Sequence, residues 1–558
     1  MRIEHRLAKY NFDANEKFDL IIIGGGINGA GIARDAAQRG LKVLLLEKDD
    51  FGSGCSAHST RLIHGGLRYL EHLEFNLVKE SLDEREILLK NYPHLVNPIA
   101  LMIPAYKHNK NGLLKLNLGM FLYDILSSKK SLPSYQRIEK DQLDKLNLKI
   151  NPKDFEGAVY YYDAQITNAE RLVLENIKSA EEYGAVCLNH CEASEIIIEN
   201  NQAIGVRFKD NLNTKRPFVA YAKNIVNLAG PWVDLVNERL RDKNGLLVEP
   251  QLKRKIGGTK GSHIVVKSFT GAPQGFGLYN EAKSDSRPFF ILPFKIANND
   301  TLYLIGTTDL YLEEKDNLDK LEITDKEINY LLNETNELFP EAKLSKSNIV
   351  NTFIGVRPLP YIDKNKKEGG VTRKHFIIDH SKEGIKNYYS VVGGKLTTFR
   401  SLAKEVVGLF SSNRCLTAEK LTPSADFNED FNGYIKNTIK NYSEKYDIEA
   451  SIILHLILIY GTKASEVLDL TRTNPLLKNR INKDFEDIEA QIVYAIRYEN
   501  AFTIDDIIKR RLSIGLCSDK YDRDIIKTIK YHLDEEFELI GRNRDKVLEE
   551  QLVGDYNY

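Results

Sequence analysis

The stretch DLIIIGGGINGAGIARDAAQRGLKVLLLEK, residues 19–48, limits what this chain can fold into more than any other. Leu20–Ile23 is short, apolar and β-branched, as a strand buried on both faces of a parallel sheet must be. From Ile27 to Arg39 alanine and other small residues recur at helical spacing, Gly40 stops the helix, and Val43–Leu46 reads as a second buried strand. Strand, turn, helix and strand make a βαβ unit, the start of a doubly wound sheet. Gly24, Gly26 and Gly29 fall in the spacing GxGxxG. The first permits a tight turn, the second lets a pyrophosphate approach the backbone, and the third lets the helix pack on the strand. The helix N-terminus then offers N–H groups to the phosphates. Glu47, closing the second strand, is placed to bind both hydroxyls of an adenosine ribose and to repel a 2′-phosphate. This specifies a dinucleotide with an unphosphorylated ribose and leaves NAD and FAD open.

A chain of 558 residues exceeds one compact core, so two or three domains are expected. With 78 Lys and Arg against 79 Asp and Glu there is no global basic field, and nucleic acid is not an expected partner. Five cysteines, none in a CxxC pair, fit a reduced chain without a disulfide framework. The charged start MRIEHRLAKYNFDANEKFD lacks the apolar core of a secretory signal, and no run of about 18 apolar residues predicts a bilayer span. Strands are expected at Ser262–Val266, Thr301–Ile305 and Tyr388–Val392, and helices at 74–91, Glu449–Tyr460 and Phe485–Tyr498. From about residue 411 dense charge and sparse glycine predict a separate all-helical domain, and KNKKEGG (364–370) reads as a solvated loop.

The segments beyond Glu47 are more specific. FGSGCSAHSTRLIHGGLRYLEH (51–72), NLAGPWVD (227–234), KGSHIVV (260–266), LIGTTD (304–309), GVRPLP (355–360) and YYSVVGGKLTTFR (388–400) occur in that order. Over about residues 18–405 the chain resembles the FAD-dependent glycerol-3-phosphate dehydrogenases of the aerobic, quinone-linked type. The resemblance implies an α/β fold of the Rossmann-like, glutathione-reductase and D-amino-acid-oxidase type. FAD-binding parts are then expected at about 18–105, 165–250 and 370–405, a mixed-sheet substrate domain from about 106–164 and 251–369, and a helical C-terminal domain at 411–558. It also implies FAD contacts at Gly24, Gly26, Gly29, Glu47, Ser59, Thr60, Arg61, His64, Gly65, Gly66, Gly230, Gly394, Leu396, Thr397 and Thr398. These blocks make physical sense for a flavin. Ser59, Thr60 and Arg61 carry hydroxyl and guanidinium donors suited to a pyrophosphate. His64-Gly65-Gly66 offers two residues without side chains where a flat ring needs close backbone approach. The turn at Gly393–Thr398 aims N–H groups at the electron-rich end of the flavin.

Arg68, Arg357 and Arg373, with Tyr69 beside the first, stand at positions that match the family's phosphate- and substrate-binding arginines. The implied reaction passes the C2 hydride of sn-glycerol 3-phosphate to flavin N5 while a base removes the hydroxyl proton, leaving dihydroxyacetone phosphate. His263 is the candidate base, because imidazole titrates near working pH; Lys395 and Arg357 are candidates to polarise or orient the oxygen, and all three bear on substrate binding. Cys187, His190 and Cys191 lack a second ligand pair and fall where a strand should run, so no metal is expected; Cys55 reads as small-residue packing. The stretch GLLKLNLGMFLYDILSSKK (112–130), with Lys115, Lys129 and Lys130, is either a core stripe or a helix lying on an anionic membrane surface. The family implies the second: a cytoplasmic protein, peripheral on the inner membrane, passing electrons to ubiquinone or menaquinone, with a homodimer as candidate assembly. Two readings compete. One is an oxidase that uses O2 and releases H2O2, disfavoured by the compact spacing between His263 and Thr307. The other is a non-catalytic FAD-binding scaffold or metabolite sensor, against which the arginine set and His263 speak.

Overall fold

The computed structural model describes residues 6, 7, 9, 10, 12, 17–127, 130–143, 146, 148–212, 217–248, 252–297, 300–312, 316–361, 374–518 and 521–539. Arg373, Lys129 and the segment 364–370 therefore lie outside the described residues.

Apolar continuity sets the centre of the first sheet. Phe18–Ile23 pairs in parallel with Val43–Leu46 on one side and with Pro217–Asn227 on the other. Val186–Leu188 and Tyr388–Val392 extend the parallel core outward, and Phe376–Asp379 adds an antiparallel edge. The two central strands are apolar from Leu20 to Ile23 and from Val43 to Leu46 because both faces are covered there. Leu20, Ile22, Val43 and Leu45 point to the helices Ile27–Gln38, Ala169–Glu182 and Phe399–Gly408. Ile21, Ile23, Leu44 and Leu46 point to an antiparallel layer built from Cys191–Glu199, Gln202–Asp210 and the first half of Pro217–Asn227. Small residues decide how close the helices come. A Cβ on Gly31 would lie 2.6 Å from the ring of Phe399.

The second sheet has ten described strands and is mixed: Phe276–Glu281 runs parallel to Val96–Tyr106, and the other pairs are antiparallel. Thr259–Val266 lies between Asp300–Gly306 and Ile349–Arg357, so that His263 faces Gly306 on one side and Phe353 on the other. The first domain boundary, expected near 105, falls earlier. Val96–Tyr106 pairs along its length with Phe155–Ile166, and Leu62–Ile63 joins the same strand. The flavin-side segment thus enters the second sheet before residue 105.

Two further expectations need correction. Cys187 and Cys191 do not lie on one strand, because the chain turns between Val186–Leu188 and Cys191–Glu199 with His190 at φ 51°. The helix expected from Phe485 begins at Glu489, since Asp487 is held by Ser513 and His455 and Arg480 bridges to Ile488. Within the helical domain Ala450–Thr473 is apolar and long enough, by composition alone, to cross a bilayer. Here it is broken at Gly461, and Ile452, Ile453, Leu456, Ile457 and Tyr460 form part of a buried core, which is how a soluble domain uses such a run. The helix Leu113–Leu126 behaves in the opposite way. It buries only Met120 and Tyr123 and leaves Leu114 83% and Leu118 60% exposed, with Phe121 and Ile125 on the same outer face. Lys130 pairs with Asp124 at 2.8 Å rather than extending from that face.

The helical domain is bound to the rest through buried charge. The Asp50 carboxylate accepts two bonds from Arg511 at 2.8 and 2.9 Å, one from Arg510 at 2.6 Å and one from Asn189 at 2.9 Å. Arg171 pairs with Glu499, and Asn351 donates to the carbonyls of Gly515 and Leu516 at 3.1 and 3.2 Å. Asp50, His190 and Asp506 bring their ligating atoms within 4.8 Å of one another, but Arg510 and Arg511 take the carboxylates. Replacing Asp50 by Ala removes the carboxylate that two buried guanidinium groups share, leaving Arg510 only Asp506 and Arg511 only Glu499 as acidic partners, and is expected to lower stability by about 3–5 kcal/mol, read as a shift of the urea unfolding midpoint.

Candidate active site

The three glycines of the first turn are required for different reasons. Gly24 has φ 114°, and a Cβ there would lie 2.5 Å from the carbonyl oxygen of Leu228. A Cβ on Gly29 would overlap the carbonyl oxygen of Gly24, so this glycine sets the closeness of turn and helix. Gly26 differs: a Cβ there would meet only Ser56 Oγ, at 3.3 Å. The protein itself does not forbid a side chain at that position, and the backbone stays open to a ligand. Ser56 Oγ accepts the N–H of Ile27 at 3.0 Å, and Gly26 at the N-cap adds no side-chain cap to the helix. Glu47 accepts N–H groups from Gly25 at 2.6 Å and Asp49 at 2.9 Å. Loss of solvent pushes its carboxyl up to about 7 although the residue keeps some exposed surface. Hydroxyl donors placed beside it would favour the charged form. Asn28 Oδ1 is buried without a hydrogen-bond partner, and its Nδ2 lies 2.9 Å from where Gly394 would carry a Cβ. Gly230, at φ 56°, also faces open space.

Ser59-Thr60-Arg61 divides its work. Ser59 Oγ accepts the N–H of Arg61 at 3.2 Å, and Thr60 Oγ1 lies 2.9 Å from His263 Nε2. Arg61, expected to bind a pyrophosphate, turns inward instead. Its guanidinium grips Glu170 at 2.6 and 2.8 Å, donates to the carbonyls of Ala57 and Thr167, and sits over Phe294 and Phe353. It is a buried strut of the loop, and the hydroxyls of Ser59 and Thr60 remain for ligand contact. His64-Gly65-Gly66 is joined to the late turn by the N–H of His64, which donates to Thr397 Oγ1 at 3.2 Å. The absence of side chains at the two glycines answers the protein's own packing: a Cβ on Gly65 would lie 2.5 Å from Tyr123 Oη and 2.7 Å from Leu82, and one on Gly66 would overlap the ring of Tyr69. Gly393 and Gly394 have φ of 85° and 92°, and Leu396, Thr397 and Thr398 lead from them into the helix Phe399–Gly408.

The second sheet brings the polar groups together. Arg357 ends its strand and reaches across Gly261, whose Cβ would lie 2.7 Å from Nη2. Its Nη1 donates to Asp309 at 2.8 Å and its Nη2 to Thr307 Oγ1 at 3.2 Å. His263 is two residues beyond Gly261 on the same face of the strand. A Cβ on its partner Gly306 would overlap the imidazole. Nδ1 of His263 is buried and has no hydrogen-bond partner. Burial, with Arg357, Arg61 and His58 adding to it, pushes this histidine down to about 3, so the ring is neutral. Cys55 donates to the Val356 carbonyl at 2.7 Å beside it, and burial pushes the thiol up to about 12. Lys395 Nζ lies 3.8 Å from the centre of the Tyr69 ring and 3.1 Å from Ser81 Oγ. The two groups are linked through His64, edge-on to Phe290, which pairs with Gly306 opposite His263. Arg68, half-buried, opens the short helix Arg68–Glu71.

Residues 19–406 match the family model described as FAD dependent oxidoreductase, and residues 425–539 match the C-terminal domain of alpha-glycerophosphate oxidase. A curated glycerol-3-phosphate dehydrogenase of Synechocystis sp. is 44% identical over 91% of this chain and 90% of that protein. The chain belongs to the FAD-dependent glycerol-3-phosphate dehydrogenase family. The aerobic glycerol-3-phosphate dehydrogenase of Staphylococcus aureus is 31% identical over 89% of this chain and 87% of its own length. Among solved structures, the FAD complex of the Bacillus halodurans glycerol-3-phosphate dehydrogenase matches the fold with a TM-score of 0.73, at 24% identity, covering 99% of this chain and 97% of that one. An FAD-bound L-alpha-glycerophosphate oxidase from Mycoplasma pneumoniae matches at 0.53 and 17% identity over 73% of this chain and 99% of its own.

The groove fits the family's cofactor on its own geometry: an open backbone at Gly26, a carboxyl at Glu47 that added hydroxyl donors would stabilise, and an unpartnered buried Asn28 Oδ1 on a side chain whose Nδ2 lies beside Gly394. Asn28, Ser56, Ser81 and Asp309 were not singled out from sequence. Asp309 stands in LIGTTD, Asn28 in GGGING and Ser56 in FGSGCSAHSTRLIHGGLRYLEH, so position within a motif was their signal; Ser81 left none. A Gly26→Ala protein is expected to keep its unfolding free energy within about 1 kcal/mol and to lose its flavin absorbance on gel filtration, whereas Gly29→Ala loses more than about 3 kcal/mol and folds poorly.

Proposed function

We propose that this protein oxidises sn-glycerol 3-phosphate to dihydroxyacetone phosphate and delivers the electrons to a quinone at a membrane surface. The observation that carries the reading is the meeting of Arg357 and His263 on one strand face, beside the loop of Thr60. When bound, FAD supplies the two-electron acceptor for the C2 hydride, at N5. Arg357, aimed by Asp309 and Thr307, binds the phosphate dianion, with Arg68, Tyr69 and Arg373 completing the recognition. Lys395, held by Tyr69 and Ser81, orients the substrate oxygen through a charged hydrogen bond. His263 takes the hydroxyl proton at Nε2, exchanging Thr60 for the substrate. It starts neutral, as a base must. The arriving phosphate offsets the positive charge of Arg357 and raises the proton affinity of the imidazole when it is needed. The exposed face of Leu113–Leu126 supports a peripheral seat on the cytoplasmic side of the inner membrane, its Leu and Phe side chains entering the acyl boundary.

Anaerobic addition of sn-glycerol 3-phosphate is expected to bleach the flavin; no bleaching would overturn the reading and leave an FAD-binding scaffold. Reoxidation should be at least about tenfold faster with a soluble quinone than with oxygen, and the reverse order would make the protein an oxidase. His263→Gln should slow reduction about 10²–10⁴-fold while substrate still binds. The double variant Leu118→Glu, Phe121→Glu should fold normally and no longer sediment with vesicles containing anionic lipid; unchanged sedimentation would reject this surface.

A further inference from the structure

The helix Leu113–Leu126 has one polar group on its buried face, and that group reaches the substrate loop. Tyr123 is 2% exposed. Its hydroxyl accepts the N–H of Gly65 at 2.8 Å and donates to Asp163, at 2.8 Å from Oδ2. Because the single hydroxyl is used in both directions, its position is fixed. Asp163 is itself held by Arg85 Nη1 at 2.6 Å, and Arg85 Nη2 bonds Ser127 Oγ at 3.0 Å, just past the end of the Tyr123 helix. Arg85 also reaches Glu86 and the Tyr162 carbonyl. Tyr123 packs edge-on against Tyr161, 5.9 Å between ring centres. The network is buried and joins two helices to the strand Phe155–Ile166.

What it holds is a short path to the proposed substrate groups. Gly65 is anchored by Tyr123, and Leu82 fills the space a side chain there would need. Gly66 follows at φ 79° beneath the ring of Tyr69, and the N–H of Tyr69 returns to the Gly66 carbonyl at 2.9 Å. Arg68 and Tyr69 therefore leave a turn whose preceding residue is fixed from below. Leu82 and Ser81 lie on the same helix as Arg85; the first fills the space a side chain at Gly65 would need and the second holds Lys395 over Tyr69. Nothing in the reaction uses Tyr123 directly, and an apolar Phe would fill the same space.

We propose that Tyr123, fixed by Asp163 and Arg85, is a positioning residue that sets the height of Gly65 and through it the placement of Arg68 and Tyr69. The proposal rests on the substrate assignment made above for those two residues. It deepens that assignment by naming what holds them.

The test is the Tyr123→Phe holoenzyme. The expected result is a KM for sn-glycerol 3-phosphate raised about tenfold or more, kcat within about threefold of the parent, and a shifted flavin absorbance band. A KM within twofold and an unchanged flavin band, with only a lower unfolding temperature, would make Tyr123 a structural residue and overturn the proposal. Should the variant not fold, the parent holoenzyme decides by hydrogen exchange of the segment 62–70. The Gly65 amide should exchange as slowly as those of the adjoining strand Leu62–Ile63, and exchange at the rate of an open loop would overturn the proposal. The flavin band and the exchange measurement need no substrate. A parent enzyme that sn-glycerol 3-phosphate fails to bleach would therefore refute the assigned reaction while these two readouts still judge Tyr123.

Discussion

The carboxylate of Asp50 is the most heavily bonded of the points at which the two parts of the chain are bound to each other. It lies just past Glu47, with no surface exposed, and its principal partner, Arg511, is 461 positions further along the chain. A carboxylate so deep persists only when donors surround it, and here two guanidinium groups and an amide do. The arrangement recurs at Arg61 with Glu170, Arg85 with Asp163 and Arg171 with Glu499. Each pair joins segments far apart in sequence, and the first two stand directly behind loops of the site. The loops are therefore shaped from behind by buried charge, and the faces turned to the ligands carry the hydroxyls, amides and glycines.

That division explains how much could be read in advance. The opening βαβ unit, the expected strands of both sheets and the helical character after residue 411 were legible because apolar period and glycine position depend on neighbours in sequence. His263, Arg357 and Lys395 were singled out as members of conspicuous motifs, and the fold brings the first two to one strand face. Arg61 was misread because a motif shows that a residue matters and not which way its donors face. Its partner Glu170 is 109 positions away and leaves no local trace. Gly65 and Gly66 show the same limit from another side. An open backbone in a loop of this kind suggests room for a ligand, yet Tyr123, Leu82 and Tyr69 occupy that room. The turn at His190 and the late start of the helix at Glu489 escaped detection because each is set by distant side chains, Asp506 in one case and His455 and Ser513, which hold Asp487, in the other.

The electrostatics of the polar corner follow from the same packing. His263 has Arg357 and Arg61 for neighbours and no solvent to share its charge, so the protein presents a neutral imidazole next to a fixed cation. In the proposed assignment a dianionic substrate would add negative charge beside Arg357, which already pairs with Asp309, and make the imidazole more basic. On that proposal substrate affinity and proton affinity would be linked through one guanidinium, whose direction is held by Asp309.

Cys55 stands in this corner as a sulfur atom beside a site built for electron transfer. Nucleophilic and oxidative reactions of cysteine run through the thiolate. At about 12 the thiol keeps its proton under any physiological condition, and its hydrogen is engaged by the Val356 carbonyl. Adduct formation with an electron-poor ring and conversion to a sulfenic acid, both of which run through the thiolate, are disfavoured by the same burial. The loop thereby carries a soft, space-filling atom next to redox chemistry in its less reactive, protonated form.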